Sequence, residues 1–190
     1  MMLEEFLNYS VVKLSQFKVK NQAQRDTLIK KIITGCTNEA VVLQGEAPLD
    51  FVLPLFIKMT GVFREIVWRK TETDTAILLY STIEDPAVII RSIKVVPPAV
   101  WTDKELGEAS KKQKNDKRKE LNLNLNKLWL LAKKHEKDSL KNFLKALYGL
   151  SAKKDKVVLS GKCPVVPAIL AMQWFLFKTK EVYYEKLKLK

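Results

Sequence analysis

The chain has 190 residues, of which 47% are hydrophobic, and a formal net charge of +13. This length fits one domain or at most two small ones, and the apolar content is enough for a buried core, which excludes a wholly disordered chain. No apolar run reaches the about 18 residues of a membrane span, and the excess of Lys and Arg favours a polyanionic partner over a membrane.

The N-terminal segment, Met1–Tyr9, carries Glu4 and Glu5 where a signal peptide would be basic, so we expect a cytoplasmic protein. Cys36 and Cys163 lack the spacing of a redox or metal motif and are read as reduced core thiols. A lysine-rich solvated surface is the alternative explanation of the charge.

The first half of the chain, up to Pro97-Pro98, alternates short apolar strands with helices. Asn21 is placed to cap the first helix and Gly35 to end it, while Pro48 begins the second helix and Gly61 stops it. In chain order the predicted elements are a strand within Ser10–Val19, a helix from Asn21 to Gly35, a strand Ala40–Leu43, a helix Leu49–Met59, a hairpin of Phe63–Arg69 with Thr75–Tyr80, and a strand within Val88–Val96.

The middle of the chain is strongly basic: Lys104–Lys156 holds 16 Lys or Arg against 7 Asp or Glu, a net charge of +9. Leu121, Leu125, Leu128 and Leu131 fit one helical face, although the alternation within Leu121–Asn126 also fits a strand. The helix formers on both sides favour the helix. A second helical stripe, Leu140–Tyr148, is closed by Gly149.

One pattern occurs twice, at an offset of 116 residues. Val41–Pro48 and Val157–Pro164 share the order of buried strand, Gly turn and Pro-started helix. The correspondence continues without a gap to Lys70 and Lys186, and seven of these thirty pairs are identical, including Glu65 and Glu181. A preceding helical segment in each copy gives the order helix, strand, helix, strand twice, which indicates either an internal duplication or two ordinary α/β units.

The fold expected from these patterns is a single α/β domain over 1–190. Its mixed sheet would be built from two related helix-strand-helix-strand halves, 1–98 and 157–190, with a basic helical insert over 99–156. Val41–Leu43 and Val157–Leu159 are then predicted to lie in one sheet.

Two sets of residues are candidate anion sites. A Gly turn that leads into a helix directs backbone N–H groups and the helix dipole at one spot, so Gly45 and Gly161 are candidate phosphate-binding residues. Lys162 beside Gly161 favours a phosphate, whereas Glu46 beside Gly45 opposes one.

The second candidate set is basic and lies in the insert. A sequence of lysines without an interleaved aromatic residue suits contacts to nucleic-acid phosphates and not base stacking. We call the six residues from 111 to 119 the basic run, and a solvated surface is its alternative reading. The predicted nucleic-acid contacts are the basic run, Lys111, Lys112, Lys114, Lys117, Arg118 and Lys119, with Lys133 and Lys134.

No complete catalytic motif is present in the sequence. Neither Gly turn continues as a P-loop, and Ser160-Gly161 lacks the first Gly of a nucleophile elbow. The single histidine, His135, has no second ligand nearby and is expected at the surface, so neither a metal site nor a cofactor is predicted. Glu46 and Asp50 are read as compensating the dipole of the second helix, and a divalent-ion site is the alternative for this pair.

Leu43–Tyr80 is expected to form a strand, a Gly turn at Gly45 with Pro48 three residues on, an apolar helix, a second strand and a hairpin return. This order resembles small α/β accessory proteins of type III CRISPR systems. The resemblance implies binding of RNA ends or cyclic oligoadenylate, as an accessory protein or subunit of a nucleoprotein assembly. The members that act as nucleases have a His in or after the motif helix, and Lys58–Phe63 has none. The alternatives are an enzyme that degrades cyclic oligoadenylate or another small phosphorylated nucleotide, and a protein-interaction module whose basic surface is incidental.

Overall fold

The structure, a computed structural model, describes residues 8–19, 21–70, 76–83, 110–111, 120–134, 138–150, 155–176 and 178–189. It divides into two compact units, residues 1–89 and 90–190. Each unit has its own mixed sheet covered by helices, which confirms the predicted α/β class. None of the helices in these ranges is long and apolar enough to cross a bilayer.

The first unit alternates strands and helices along the chain. Its elements are β1 (Tyr9–Lys13), a 3-10 turn (Leu14–Gln16), α1 (Gln22–Gly35), β2 (Ala40–Gln44), α2 (Leu49–Thr60), β3 (Glu65–Arg69) and β4 (Ala76–Ser81). The sheet order is β1-β2-β3-β4, with the first three strands parallel and β4 antiparallel to β3.

The predicted ends of both helices are confirmed. The side chain of Asn21 accepts a hydrogen bond from the Gln24 amide over 2.9 Å and so caps α1, which ends at Gly35. Pro48 precedes α2 and Gly61 follows it. Seven of the twelve residues of α2 are buried, so this helix and the central strand β2 form the core of the first unit.

The second unit repeats this plan with an extra helix and an extra short strand. Its elements are β5 (Ser110–Lys111), β6 (Glu120–Asn124), α3 (Leu125–Lys134), α4 (Ser139–Gly149), β7 (Lys156–Ser160), α5 (Val165–Leu176), β8 (Glu181–Tyr184) and β9 (Leu187–Lys188). The sheet order is β5-β6-β7-β8-β9, with β6, β7 and β8 parallel and the two outer strands antiparallel.

The core of the second unit surrounds α5. Every residue of this helix from Val165 to Phe175 is buried, because the sequence is apolar on all sides and cannot present a solvated face. Leu123, Leu159 and Val182 contribute to the buried face of the sheet, and their neighbours along each strand lie half-buried on the other face.

The repeat in the sequence corresponds to a repeat in strand register. Ala40 pairs with Glu65 and Lys156 with Glu181; Leu43 pairs with Trp68 and Leu159 with Tyr184. All these pairs are related by the offset of 116 residues. The helix-strand-helix-strand order is therefore present in both copies.

The prediction that Val41–Leu43 and Val157–Leu159 lie in one sheet is wrong. The first belongs to the four-stranded sheet and the second to the five-stranded sheet. The physical reason is that the central strand of each copy pairs with a strand of its own unit: β2 pairs with β1, and β7 pairs with β6. Each three-stranded parallel core is thereby complete without the other copy.

The prediction of a helical face beginning at Leu121 is also wrong. Glu120–Asn124 is strand β6, with Leu121 and Leu123 buried, and α3 begins only at Leu125. Leu and Asn alternate in this segment, and an apolar residue at every second position buries one face of a strand. The described parts of 99–156 thus supply β6, α3 and α4 to the second sheet and its core, whereas Val88–Val96 lies outside the described residues.

Candidate functional site

The candidate site is the edge at which the three parallel strands of each sheet end. In open α/β sheets, ligands bind beyond the carboxyl ends of parallel strands, where the turns into the helices meet. We call this the carboxyl edge. In the second unit it comprises the residues that follow β6, β7 and β8; in the first unit, those that follow β1, β2 and β3.

Both Gly turns have the backbone conformation that only glycine adopts readily. The φ angles are +80° at Gly45 and +79° at Gly161. A β-carbon at Gly161 would lie 2.9 Å from Oδ1 of Asn124, whereas one at Gly45 would be at least 3.6 Å from its nearest neighbour, in Ser15. Gly161 is therefore required by backbone conformation and by space, and Gly45 by backbone conformation alone.

The carbonyl group of each turn glycine is held from the neighbouring strand. The hydroxyl of Tyr184 donates to the Gly161 oxygen over 3.2 Å, and Nε1 of Trp68 donates to the Gly45 oxygen over 3.4 Å. Each donor lies 23 residues after its glycine. This hydrogen bond to the glycine carbonyl stabilises the turn that connects the strand to the following helix.

Asn124 joins two parts of the carboxyl edge of the second unit. It is the last residue of β6, and its Oδ1 accepts a hydrogen bond from the Lys127 amide over 2.9 Å, which caps α3. The same oxygen is the closest atom to the position that a Gly161 side chain would occupy. The turn after β7 is therefore packed against the start of α3.

One exposed lysine follows each parallel strand of the second unit. These are Lys127 after β6, Lys162 after β7 and Lys186 after β8. Within the described ranges, no carboxylate lies within salt-bridge distance of any of the three. The structure thus brings the predicted Lys162 to the same edge as two lysines that the sequence reasoning did not include as site residues.

The carboxyl edge of the first unit has a different charge from that of the second, where the three lysines lie with one exposed carboxylate, Glu185 after β8. Glu46 stands where the second unit has Lys162, and Asp50 is exposed in the first turn of α2. Lys70 is the counterpart of Lys186. Two carboxylates against one lysine at these positions do not favour an anion there, so the Gly45 turn has the backbone geometry of the Gly161 turn but lacks its positive surroundings.

The same contrast extends over the whole of each unit. Residues 1–89 contain 10 Lys and Arg against 11 Asp and Glu, a net charge of −1, and residues 90–190 contain 24 against 10, a net charge of +14. These account for the total of +13. Two units whose parallel strands share one order and register therefore differ by fifteen charges, so the fold does not require the lysines.

The predicted nucleic-acid contacts have different positions. The backbone of Lys111 belongs to β5, where it pairs with Asn122. Lys133 and Lys134 are exposed in the last turn of α3, where cations offset the helix dipole, and Nζ of Lys133 lies 5.7 Å from the ring centre of Trp129. The other five members of the basic run, Lys112, Lys114, Lys117, Arg118 and Lys119, lie outside the described residues.

The described residues contain no group of three or more His, Cys, Asp or Glu side chains that could hold a metal ion. His135 and Asp74 lie outside the described ranges. Cys36 and Cys163 are free thiols, both half-buried. Burial raises the pKa of the Cys36 thiol, and a hydrogen bond with Ser10 lowers it in part.

Comparison of the chain with models of protein families, with curated proteins and with solved structures finds no match. The resemblance to accessory proteins of type III CRISPR systems therefore stays a prediction. The functional assignment rests on the charge and geometry of the two units.

Proposed function

We propose that the chain binds RNA or another oligonucleotide through its second unit, as an accessory protein or subunit of a nucleoprotein assembly. The observation that carries the proposal is the division of charge, −1 in the first unit against +14 in the second. A basic domain of this kind attracts polyanions at long range and neutralises phosphates on contact.

The ion pairs of the second unit leave part of its positive charge free. Three carboxylates in or next to the sheet are already paired with lysines: Glu120 with Lys156 at 3.3 Å, Asp155 with Lys180 at 3.3 Å and Glu181 with Lys188 at 3.7 Å. The lysines at the carboxyl edge, by contrast, have no such partner among the described residues. Phosphate oxygens are the partners that these ammonium groups would accept.

The proposed contacts are to the phosphate backbone. Lysine carries a point charge on a flexible stem and lacks the fixed fork by which arginine reads base edges, so a lysine-rich surface binds without sequence preference. Lys133 and Lys134 at the far end of α3, and the basic run, which begins at Lys111 on β5, would add phosphate contacts separate from those of Gly161 and Lys162, because α3 and β5 both run away from the carboxyl edge. Binding is expected to weaken steeply as salt rises.

The direct test is fluorescence anisotropy with a labelled ten-nucleotide oligouridine. The double variant Lys162→Glu/Lys186→Glu is compared with Lys70→Glu, which changes the corresponding exposed residue of the first unit. We expect the double variant to weaken binding and to reduce the slope of log affinity against log salt by about 1.4, since each phosphate contact contributes about 0.7 on a single strand. Lys70→Glu should leave both quantities unchanged.

Two results would contradict the proposal. One is a parent protein that does not bind oligouridine at about 50 mM salt, a concentration at which phosphate contacts are strong. The other is a loss of affinity per reversed charge that is as large in Lys70→Glu as in the double variant, which would mean that binding follows total charge and not the second unit.

The enzymatic alternative is tested separately. The resemblance to type III CRISPR accessory proteins includes members that degrade cyclic oligoadenylate, and acid–base cleavage of RNA needs one group to take a proton and another to supply one. Purified protein is incubated with linear RNA and with cyclic oligoadenylate, with and without manganese. Turnover that disappears in Glu46→Gln or Asp50→Asn would favour an enzyme over a binding subunit.

A further inference from the structure

A long groove lies in the first unit between strand β1 and helix α1. It consists of two adjoining cavities of about 500 and 480 Å³, which share the lining residues Gln16, Phe17, Leu28 and Lys31. This unit has a net charge of −1 and does not take part in the proposed binding of oligonucleotides. The groove therefore requires a separate explanation.

One wall of the groove is strand β1, an edge strand among the described residues. β1 is the outermost strand in the sheet order and pairs with β2 only, among the described residues. Val11, Val12 and Lys13 all line the groove, although successive side chains of a strand point to opposite faces. A groove that touches three consecutive residues runs along the strand edge itself, where no described strand other than β2 pairs with the backbone of β1.

The other wall is one face of α1. Leu28, Lys31, Ile32 and Gly35 line the groove at the spacing i, i+3, i+4 and i+7. The wall extends back to Ala23 in the second cavity. From Ala23 to Gly35 a helix rises about 18 Å, which is the span of about five or six extended residues.

The charged part of the lining is basic. Lys13, Lys18 and Lys31 line the two cavities, all three are exposed, and no Asp or Glu is among the lining residues. The apolar part includes Val11, which is 52% exposed on the strand edge. The groove thus pairs aliphatic surface with positive charge in a unit that has no excess of positive charge overall.

We propose that this groove docks an extended peptide of about six residues, in which Asp or Glu alternates with aliphatic side chains, as an added strand on β1. Main-chain hydrogen bonds to the strand edge supply affinity, and alternate side chains supply specificity. One side of the peptide faces Leu28 and Ile32 on α1, and its other side lies beside Val11 and Lys13. The carboxylates meet the three lysines at the rim.

The lining favours a peptide over a nucleic acid. Bases need aromatic platforms, and the groove offers one ring, that of Phe17, whose centre lies 5.8 Å from the ring of Phe51 in the core. The remaining apolar lining is aliphatic and suits Val, Ile or Leu side chains. Docking of a protein segment here is independent of oligonucleotide binding by the second unit.

The test uses a fluorescein-labelled hexapeptide of alternating Glu and Val, with a hexapeptide of alternating Lys and Val as the control probe. The full chain should bind the Glu peptide saturably and the Lys peptide weakly or not at all. Lys13→Glu/Lys31→Glu should raise the Kd at least tenfold. Lys58→Glu, an exposed change in the last turn of α2, should leave the Kd unchanged. Circular dichroism checks that both variants are folded.

A second measurement locates the bound peptide. Cys36 lines the groove and is half-buried, so in a Cys163→Ser background the Glu peptide should slow alkylation of Cys36. The proposal is overturned if the Glu peptide does not bind saturably, if the double variant binds it as the parent does, or if the Lys peptide binds equally well. Displacement of the peptide by decauridine would show that this surface belongs to the nucleic-acid site instead.

Discussion

Tyr184 donates a hydrogen bond from its hydroxyl to the carbonyl oxygen of Gly161 over 3.2 Å, and so ties the end of β8 to the turn that follows β7. At the corresponding position of the first unit, the indole of Trp68 makes the same contact with Gly45 over 3.4 Å. A phenol and an indole share little beyond an aromatic body and one polar hydrogen. The position therefore selects a donor that reaches the glycine carbonyl from the next strand.

Removal of this hydroxyl should destabilise the second unit. Tyr184→Phe keeps the ring, which is buried, and leaves the Gly161 carbonyl without its side-chain donor. We expect a loss of about 0.5–1.5 kcal/mol in the free energy of unfolding, measured by urea denaturation. Tyr183→Phe is the control, since its half-buried hydroxyl donates to Glu181 at 3.2 Å on the surface; an equal loss there would contradict the role given to Tyr184.

The two glycines should differ in their tolerance of a side chain. Gly45→Ala requires a residue with a β-carbon at φ near +80°, which costs about 1–2 kcal/mol. Gly161→Ala carries the same cost and also forces Asn124 away from the α3 cap, for a total of about 2–3 kcal/mol. In an Asn124→Ala background the two substitutions should cost about the same, and a difference that persists would exclude the clash as its cause.

The local elements of the fold could be predicted because each depends on residues close together in the chain. Asn21, Gly35, Pro48 and Gly61 mark helix ends correctly, and the repeated Gly turn identifies both strand-to-helix connections. The pairing of strands could not be predicted in the same way. Whether β2 and β7 share a sheet depends on which first strands pair with them. For Glu120–Asn124, whose pattern fits either a strand or a helix, the pairing with β7 establishes the strand.

The candidate site was predictable in part for the same reason. Gly161 and Lys162 belong to one turn, so the sequence identifies them together. Lys127 and Lys186 reach the same edge through the parallel pairing of β6 and β8 with β7, and no local pattern reports that pairing. The only sequence signal for Lys186 was that the corresponding residue of the first copy, Lys70, is also a lysine. That identity shows that the two positions correspond, but it does not show that the two edges differ in charge.

A buried arginine compensates for a proline inside α2. Pro54 has no N–H to donate to the carbonyl of Asp50, four residues earlier, and Nη1 of Arg25 donates to that carbonyl at 3.3 Å instead. Arg25→Leu should therefore cost about 1–3 kcal/mol in urea denaturation. Pro54→Ala restores the helical N–H, so in that background Arg25→Leu should cost clearly less. Equal costs in both backgrounds would refute this pairing.

The Cys36 thiol should react slowly and only at high pH. Its pKa is raised by burial, so a smaller fraction is thiolate at a given pH than in the unfolded chain, and the thiolate is the reactive form. In the Cys163→Ser variant we expect the alkylation rate to rise at a higher pH in native protein than in urea. Ser10→Ala removes the hydrogen bond that lowers the pKa and should shift the rate profile further upward; a downward shift would contradict this contact.

The two basic regions of the second unit should contribute separately to RNA binding. Replacing all six residues of the basic run, Lys111 to Lys119, by Gln removes up to six phosphate contacts, which would reduce the salt slope by about 4 on a single strand. The parent should lose roughly a thousandfold in affinity between about 50 and 200 mM salt. Because the run is polar on every face, the variant should unfold at the same urea concentration as the parent. If the variant keeps the parent's affinity and salt slope while Lys162→Glu/Lys186→Glu does not, the carboxyl edge alone holds the RNA and the run is a solvated surface.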